Sequence, residues 1–429
     1  MKTVGIIAEF NPFHNGHSYL IEKAKKITGA DNVVIVMSGN FVQRGAPAFM
    51  DKFTRTKMAL LNGADLVIEL PFVYASSSAS YFAEGAVSIL DKMNCVDYLC
   101  FGCENDDINL LKLIAHIILK EDDVYSSTLQ TYLKNGLSFA ASREKAIIKS
   151  LALIGVTTSS EEISTLLKSP NSILAIEYIK AIQNSGSNIV PVPVKREDHG
   201  YHSLKLSSGF ASSSAIRNMY QKPSVYKFNN IKETLSTIVP ANTLDLYEKY
   251  YKLSYPVYRN DFSELVVHSL ISDRFRETDM NMLFDSSPDL INRIRNVYGT
   301  FTNIEDFISK CNSPTFPSSR IARLLFYSLI PYNKEDYFNF KKDGYVYYFR
   351  VLGFKKSHSE LLKEIKNKSD IPLISKLSKA DELLSDNENA KKMLLINKKI
   401  DEIYRMVCSS KYNYNLPSEE EFGVVIKQN

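Results

Sequence analysis

The sequence predicts an α/β fold: a doubly wound parallel sheet in the first half of the chain, followed by a mainly α-helical second half. Three observations lead there. Over roughly the first 200 residues, short apolar runs with few charges alternate with amphipathic segments, as parallel strands do when crossover helices bury both faces of their sheet. From about Lys222 onward strand patterns become sparse and helical periodicity takes over. A chain of 429 residues also exceeds what one hydrophobic core usually serves, so two domains are expected, 1–225 and 226–429.

The first run, Thr3–Glu9, reads as a buried strand. With a single early Lys and a Glu at its end, it has neither the length nor the flanks of a signal peptide or a membrane span. Asn32–Met37, Asp65–Glu69 and Val96–Phe101 are the next strands, separated by helices over His17–Thr28, Asp51–Asn62 and Ser78–Met93. Helices continue through Ile108–Lys120, Phe139–Leu153 and Ser172–Gln183, the last leading into a fifth strand, Asn188–Val194. The serine-rich turn Leu206–Ser214 opens a helix at Ala215. Beyond it, Ile231–Leu253, Phe262–Ile271, Ser286–Tyr298, Ile304–Lys310 and Ser318–Leu329 read as the helical domain. The tail from Glu360 mixes Lys-rich helical segments with the acidic run Glu419–Glu421, a solvated surface by composition.

With 45% hydrophobic and 23% charged residues, the chain is globular rather than disordered or fibrous. Five cysteines cannot all pair, and Cys95, Cys100 and Cys103 cluster while Cys311 and Cys408 stand alone; no disulfide framework emerges, and a reducing cytoplasm fits best. The formal charge of +4 is unevenly placed. Residues 1–220 hold 21 basic and 21 acidic side chains, residues 221–380 hold 24 and 18, and residues 381–429 hold 7 and 9. That basic excess permits a nucleic-acid surface without demanding one.

The usual glycine-rich phosphate signatures are missing. The first strand runs instead into Asn11-Pro12-Phe13-His14-Asn15-Gly16-His17. A turn at the C-terminal end of a parallel strand, feeding a helix N-terminus, is where α/β sheets bind anionic ligands. His14 and His17 stand three residues apart, so both imidazoles can face one ligand, donating hydrogen bonds to phosphoryl oxygens as charge builds in a displacement at phosphorus. Gly16 leaves the backbone open to a nucleotide. The alternative is a capping or metal pair, although His116, His199, His202, His268 and His358 bring no further ligands at zinc-site spacing.

The sequence His14-Asn15-Gly16-His17 resembles the H-x-G-H signature of the nucleotidyltransferase superfamily, and Ser212-Ser213-Ser214-Ala215-Ile216-Arg217 resembles its second signature. The blocks GIIAEFNPFHNGH, MSGNFVQRG, ADLVIELPF, FGCEN and SPNSILAIEYI, spanning about residues 4–220, resemble in series the tRNA(Met) cytidine acetate ligase family. The resemblance implies a Rossmann-like nucleotidyltransferase domain and a helical tRNA-binding domain. It implies an ATP-dependent ligase that activates acetate as acetyl-adenylate and transfers the acetyl group to the exocyclic amine of the wobble cytidine of elongator tRNA(Met), forming N4-acetylcytidine. ATP would enter as substrate with Mg²⁺, for which the sequence offers no dedicated cage. Two other readings stay open: an adenylyltransferase acting on a small phosphorylated metabolite, and a tRNA-binding factor with a decayed nucleotide pocket.

Carried over residue by residue, the resemblance places ATP against Ile7, Ala8, Glu9, Phe10, Asn11, Pro12, Phe13, His14, Asn15, Gly16, His17, Ser18, Tyr19 and Leu20, with His14 and His17 as the catalytic pair. Gly102, Asn171, Arg196 and Glu197 would also meet the nucleotide, and Ser213, Ser214 and Arg217 its outer phosphates. Ala211 and Ser214 depart slightly from the family's serine turn, while the hydroxyls remain. On Arg44, Lys52, Arg55 and Lys57 the expectation is tRNA binding, against a solvated basic face; Arg320 and Arg323 resemble the family's basic helix. Lys310, Lys341, Lys342, Arg350, Lys355 and Lys356 would follow tRNA phosphates, with Tyr345–Tyr348 either stacking on bases or in the core. Cys100 and Cys103 have redox-motif spacing but end a strand instead of opening a helix.

Overall fold

The computed structural model describes residues 1–196, 209, 211–222, 227–330 and 332–428. Its strands are β1 (Thr3–Ala8), β2 (Asn32–Ser38), β3 (Phe41–Val42), β4 (Ala46–Pro47), β5 (Leu66–Leu70), β6 (Tyr98–Cys103), β7 (Val190–Lys195), β8 (Phe349–Lys355), β9 (Leu373–Ile374) and β10 (Val425–Lys427). The main sheet runs β10-β8-β5-β2-β1-β6-β7, with β9 beside β8 and a separate β3–β4 ribbon. Strands β5, β2, β1, β6 and β7 are mutually parallel and coincide with the five runs expected from sequence. Their spatial order reverses between β1 and β6, which opens a crevice at the carboxyl ends of those strands.

Alternation along β2 shows why its apolar run is unbroken. Val33, Ile35 and Met37 face the core shared with Ile21 and Ala24 of the helix Asn15–Thr28, while Val34 and Val36 face Phe82, Ala86 and Leu90 of the helix Ala79–Lys92. A strand buried on both sides has no polar face to display.

The second half departs from the expected layout in three ways. First, Ile231–Leu253 is two helices, Asn229–Ile238 and Ala241–Tyr250, because Pro240 cannot donate the amide that would continue the first. Second, the aromatic stretch after Gly344 leads into β8, which pairs antiparallel with β5, and β10 pairs parallel with β8. The main sheet therefore draws strands from both sides of residue 226. Third, the helical half packs on both faces of that sheet: Phe228, Ile231, Leu235 and Tyr247 join the core of the first face, and Phe262, Ile321, Phe326 and Tyr404 that of the second. The long helix Glu388–Tyr412 runs along this second face.

Candidate active site

After β1 the chain makes a compact turn. Phe10 adopts a left-handed backbone (φ 48°) with its ring buried edge-on against Phe13 and His17, and the Asn11–Pro12 peptide is cis. Asn11 Oδ1 accepts the Phe49 amide at 2.7 Å. His14 then caps the helix Asn15–Thr28: its Nδ1 accepts the Gly16 amide at 3.1 Å, while His17 Nδ1 accepts the His14 amide at 3.2 Å. A nitrogen that accepts a backbone N–H carries no proton, so both neutral rings hold theirs on Nε2. The rings stack 3.7 Å apart, 24° from parallel. Burial, then His14 and the Arg196 guanidinium, hold the His17 imidazole well below the ordinary histidine value, so it meets a ligand as a neutral donor. Nδ1 of each ring thus serves the helix start, and both residues line the cleft.

The second signature is tied to the first. Ser212 caps the helix Ser213–Tyr220, Ser213 Oγ donates to the Pro12 carbonyl at 3.2 Å, and Arg217 donates to the Asn11 carbonyl and to Ser214 Oγ. Tyr247 secures the Phe13 carbonyl from the helical half.

Phe10, Asn11, His14, His17, Ser212, Ser213, Ser214 and Arg217 line a cleft of about 440 Å³ that also receives Ile7, Glu9, Gly16, Gly102, Asn171, Tyr178 and Arg196, whereas Pro12, Phe13, Asn15 and Ser18 of the expected ATP stretch are not in its lining. A Cβ at Gly102 would lie 3.5 Å from Arg196 Cγ, an ordinary contact, so no neighbouring side chain requires glycine there. Asn171 donates to Glu104 Oε1 at 2.7 Å, and Glu104 Oε2 takes the Ser172 amide and hydroxyl, which orients Asn171 at the start of its helix. Glu197 lies outside the described residues, as do His199 and His202.

The far wall of the cleft joins the segment after β2, from which Arg44 is expected to act, to residues of the helical half that the sequence did not single out. It consists of Val42, Gln43, Arg44, Tyr258, Arg259, Asn260 and Glu305. Arg259 fixes the β3–β4 ribbon by donating to the Gly45 and Arg44 carbonyls at 2.7 and 3.0 Å, and it also pairs with Glu305 at 3.1 Å. Gly45 is left-handed (φ 61°), and a Cβ there would sit 2.4 Å from the backbone nitrogen of Arg323, so the ribbon rests directly on the helix Ser318–Tyr327.

Of the expected tRNA contacts, the buried Lys52, Arg55, Arg323 and Arg350 are corrected, while Lys57, Arg320 and Lys355 are partly exposed and engaged within the protein. Lys52 is 1% exposed: its ammonium lies 2.8 Å from Glu69, 2.7 Å from Asp401 and 3.0 Å from Glu419. Arg55 is fully buried and donates to the carbonyls of Met50, Glu9, Ser38 and Gly39, gathering the ends of β1 and β2. Buried groups of this kind cannot touch an RNA backbone. Lys57 bonds the Tyr250 hydroxyl at 3.1 Å and lies over the Tyr250 and Phe422 rings. Arg320 and Arg323 both pair with Asp285, and Arg323, 9% exposed at its side chain, also donates to the Gln43 carbonyl. Arg350 is buried against Glu419, Lys355 pairs with Asp65, and Tyr347 and Tyr348 are core residues. Of the first basic group, Arg44 alone is exposed, on the rim of the cleft.

The acidic run expected as solvated surface is also corrected at Glu419, which closes the cluster around Lys52. Among the described residues, Glu69, Asp401 and Glu419 are the one acidic group close enough to share a metal ion, and the Lys52 ammonium lies among them. Burial pushes the Cys100 and Cys103 thiols up to about 12, which removes the thiolate that redox chemistry needs.

A family model described as HIGH Nucleotidyl Transferase matches residues 1–419. The tRNA(Met) cytidine acetate ligase of Thermoanaerobacter sp. (strain X514) is 40% identical over 395 residues, covering 92% of this chain and 93% of its own. That of Acetivibrio thermocellus is 41% identical over 88% of this chain and 89% of its own, and that of Caldanaerobacter subterraneus 38% identical over 97% and 99%. The crystal structure of Thermotoga maritima TmcAL bound with alpha-thio ATP superposes with a TM-score of 0.88 at 29% identity, and its apo form with 0.90, each covering the whole of both chains.

Proposed function

Since the chain belongs to the HIGH nucleotidyl transferases and, among them, to the tRNA(Met) cytidine acetate ligase family, we propose that it joins acetate to the exocyclic amine of the wobble cytidine of elongator tRNA(Met) at the expense of ATP. The observation that carries this reading is the stacked His14–His17 pair at the strand-order reversal, each ring holding its proton on Nε2.

In the first step an acetate oxygen attacks the α-phosphorus of ATP and pyrophosphate leaves, giving acetyl-adenylate. His14 and His17 donate Nε2–H to the phosphate oxygens as negative charge accumulates, and the amides opening the helix Asn15–Thr28 add the positive end of its dipole. Ser213, Ser214 and Arg217 face the outer phosphates, while Gly102, Asn171 and Arg196 border the nucleoside. Such neutral donors suit a charge that appears in the transition state better than fixed cations, which bind the ground state equally well. Mg²⁺ entering with ATP would supply further neutralisation of the phosphate charge.

In the second step the cytidine amine takes the acetyl group and AMP leaves. A base paired or stacked in its stem cannot reach the crevice, so the cytidine enters unstacked, past Arg44 on the rim. Residues 1–225 would supply most of the ATP site and residues 226–429, which also add β8 and β10 to the same sheet, the tRNA-binding surface, with acetate as the second small substrate. A cytoplasmic setting suits this substrate and the five unpaired cysteines; no described helix is long and apolar enough to cross a membrane.

The test is incubation with labelled acetate, ATP and total tRNA, with nucleoside analysis of the product, together with pyrophosphate exchange into ATP. Labelled N4-acetylcytidine and acetate-dependent exchange are expected. Exchange indifferent to acetate, or a dinucleotide-like product formed without RNA, would instead favour adenylyl transfer to a small metabolite.

A further inference from the structure

The cleft is built for anions. His14, His17, Lys195, Arg196, Arg217 and Arg44 line it, and both small substrates of the proposed reaction are negatively charged. Two carboxylates also line it, and they differ. Glu305 is engaged by Arg259 through both of its oxygens, at 3.1 and 3.2 Å. Glu9 is not paired with any cation among the described residues. Its Oε1 accepts the Gln43 amide at 2.9 Å, its own carbonyl is held by Arg55, and Oε2 has no partner among the described residues. Glu9 is half-buried at the end of β1, between the histidine pair and the far wall.

A carboxylate in that position disfavours ATP and acetate by repulsion. Its free oxygen suits an uncharged hydrogen-bond donor, which the exocyclic amine of the remaining reactant supplies. Resting on the acetate ligase reading, we propose that the Glu9 carboxylate receives the cytidine amine: it accepts a hydrogen bond from that nitrogen, distinguishes cytidine from uridine, and takes the proton released on acyl transfer. A carboxylate accepting from the amine is a recurring way of reading cytosine, whereas uracil presents a carbonyl oxygen at the same position and would be repelled.

The step balances. The nitrogen lone pair attacks the acetyl carbonyl carbon, the C–N bond forms, and the bond from that carbon to the phosphate oxygen breaks with its electron pair leaving on AMP. The proton lost by nitrogen passes to Glu9 and from there to water. Gln43 fixes the carboxylate through the ribbon amide, which makes the far wall part of the acceptor site.

The experiment compares the two half-reactions in the full-length enzyme. In Glu9→Gln, which retains an oxygen for the Gln43 amide, acetyl transfer from preformed acetyl-adenylate to tRNA is expected to fall at least a hundredfold more than acetate-dependent pyrophosphate exchange does. Because the Gln side chain offers an N–H where the carboxylate offered an acceptor, tRNA with uridine at the target position should inhibit Glu9→Gln more strongly than the wild type. Glu9→Asp, keeping the charge, should retain measurable transfer and the preference for cytidine. Equal losses in the two half-reactions, transfer at the wild-type rate, or unchanged inhibition by the uridine tRNA would each overturn the proposal. Failure of the wild type to exchange in response to acetate would instead defeat the reading on which it rests.

Discussion

The histidine pair and the cluster around Lys52 are both groups of polar side chains gathered at the ends of the same strands, yet they are built on opposite principles. His14 and His17 satisfy the backbone of their own turn within three residues and line a cleft. Lys52 collects Glu69, Asp401 and Glu419 from remote parts of the chain, Arg350 closes the ring, and solvent is excluded. Chemistry here is local and open, while cohesion between the two halves is distant and closed. Asn40, bonded to Asp401 and to the Lys52 amide, and Tyr404, bonded to the Ala48 carbonyl, extend that cohesion to the segment that carries the ribbon.

Substitutions can break this contrast. Lys52→Ala leaves Glu69 and Asp401 buried without their cation, Glu419 keeping Arg350, and should cost about 3–5 kcal/mol in urea unfolding; a near-native midpoint would make the cluster dispensable. His17→Ala should lower acetate-dependent exchange by about 10²–10³-fold, the range for losing one transition-state donor, with tRNA retention on filters unchanged. If exchange survives, the open group is merely a helix cap.

The closed group should also announce itself in pH dependence. Three carboxylates share two cations, and burial pushes Glu69 up to about 8. The native state therefore binds more protons than the unfolded chain between the ordinary carboxylate range and about pH 8, and stability falls as pH rises through that window. Glu69→Gln should flatten the decline in thermal midpoint between pH 6 and pH 8.5; an unaltered slope would assign it elsewhere. Gly102→Ala should raise the KM for ATP about tenfold, equivalent to about 1.4 kcal/mol, without moving the midpoint, since its Cβ meets Arg196 at 3.5 Å. The smallest effect is expected for Tyr404→Phe, about 1 kcal/mol of stability for one hydrogen bond, with exchange intact.

The same contrast explains what the sequence made legible. The five parallel strands announced themselves because each must be apolar on both faces, and the histidine turn because its chemistry is contained in four consecutive residues. The pattern Lys52-x-x-Arg55-x-Lys57 looks identical whether it faces water or a core. Its partners decide, and those of Lys52 lie 17 and 349 positions away. Arg55 finds only carbonyl oxygens, which no side-chain pattern advertises. The aromatic run before β8 was ambiguous for a related reason: tyrosines that stack on a base and tyrosines that fill a sheet edge have the same composition, and Tyr348 proved to be of the second kind. Arg259 and Glu305 became part of the cleft only through packing of the helical half on the ribbon.

The cluster around Lys52 also bears on how the protein is made. On a ribosome adding about 5–20 residues per second, the helix bearing Lys52 emerges tens of seconds before Glu419, so for most of that interval the ammonium has Glu69 alone of its three carboxylates. The sheet's first five strands can assemble early, but the cluster is completed only when Asp401 and Glu419 arrive, at least 349 positions after Lys52.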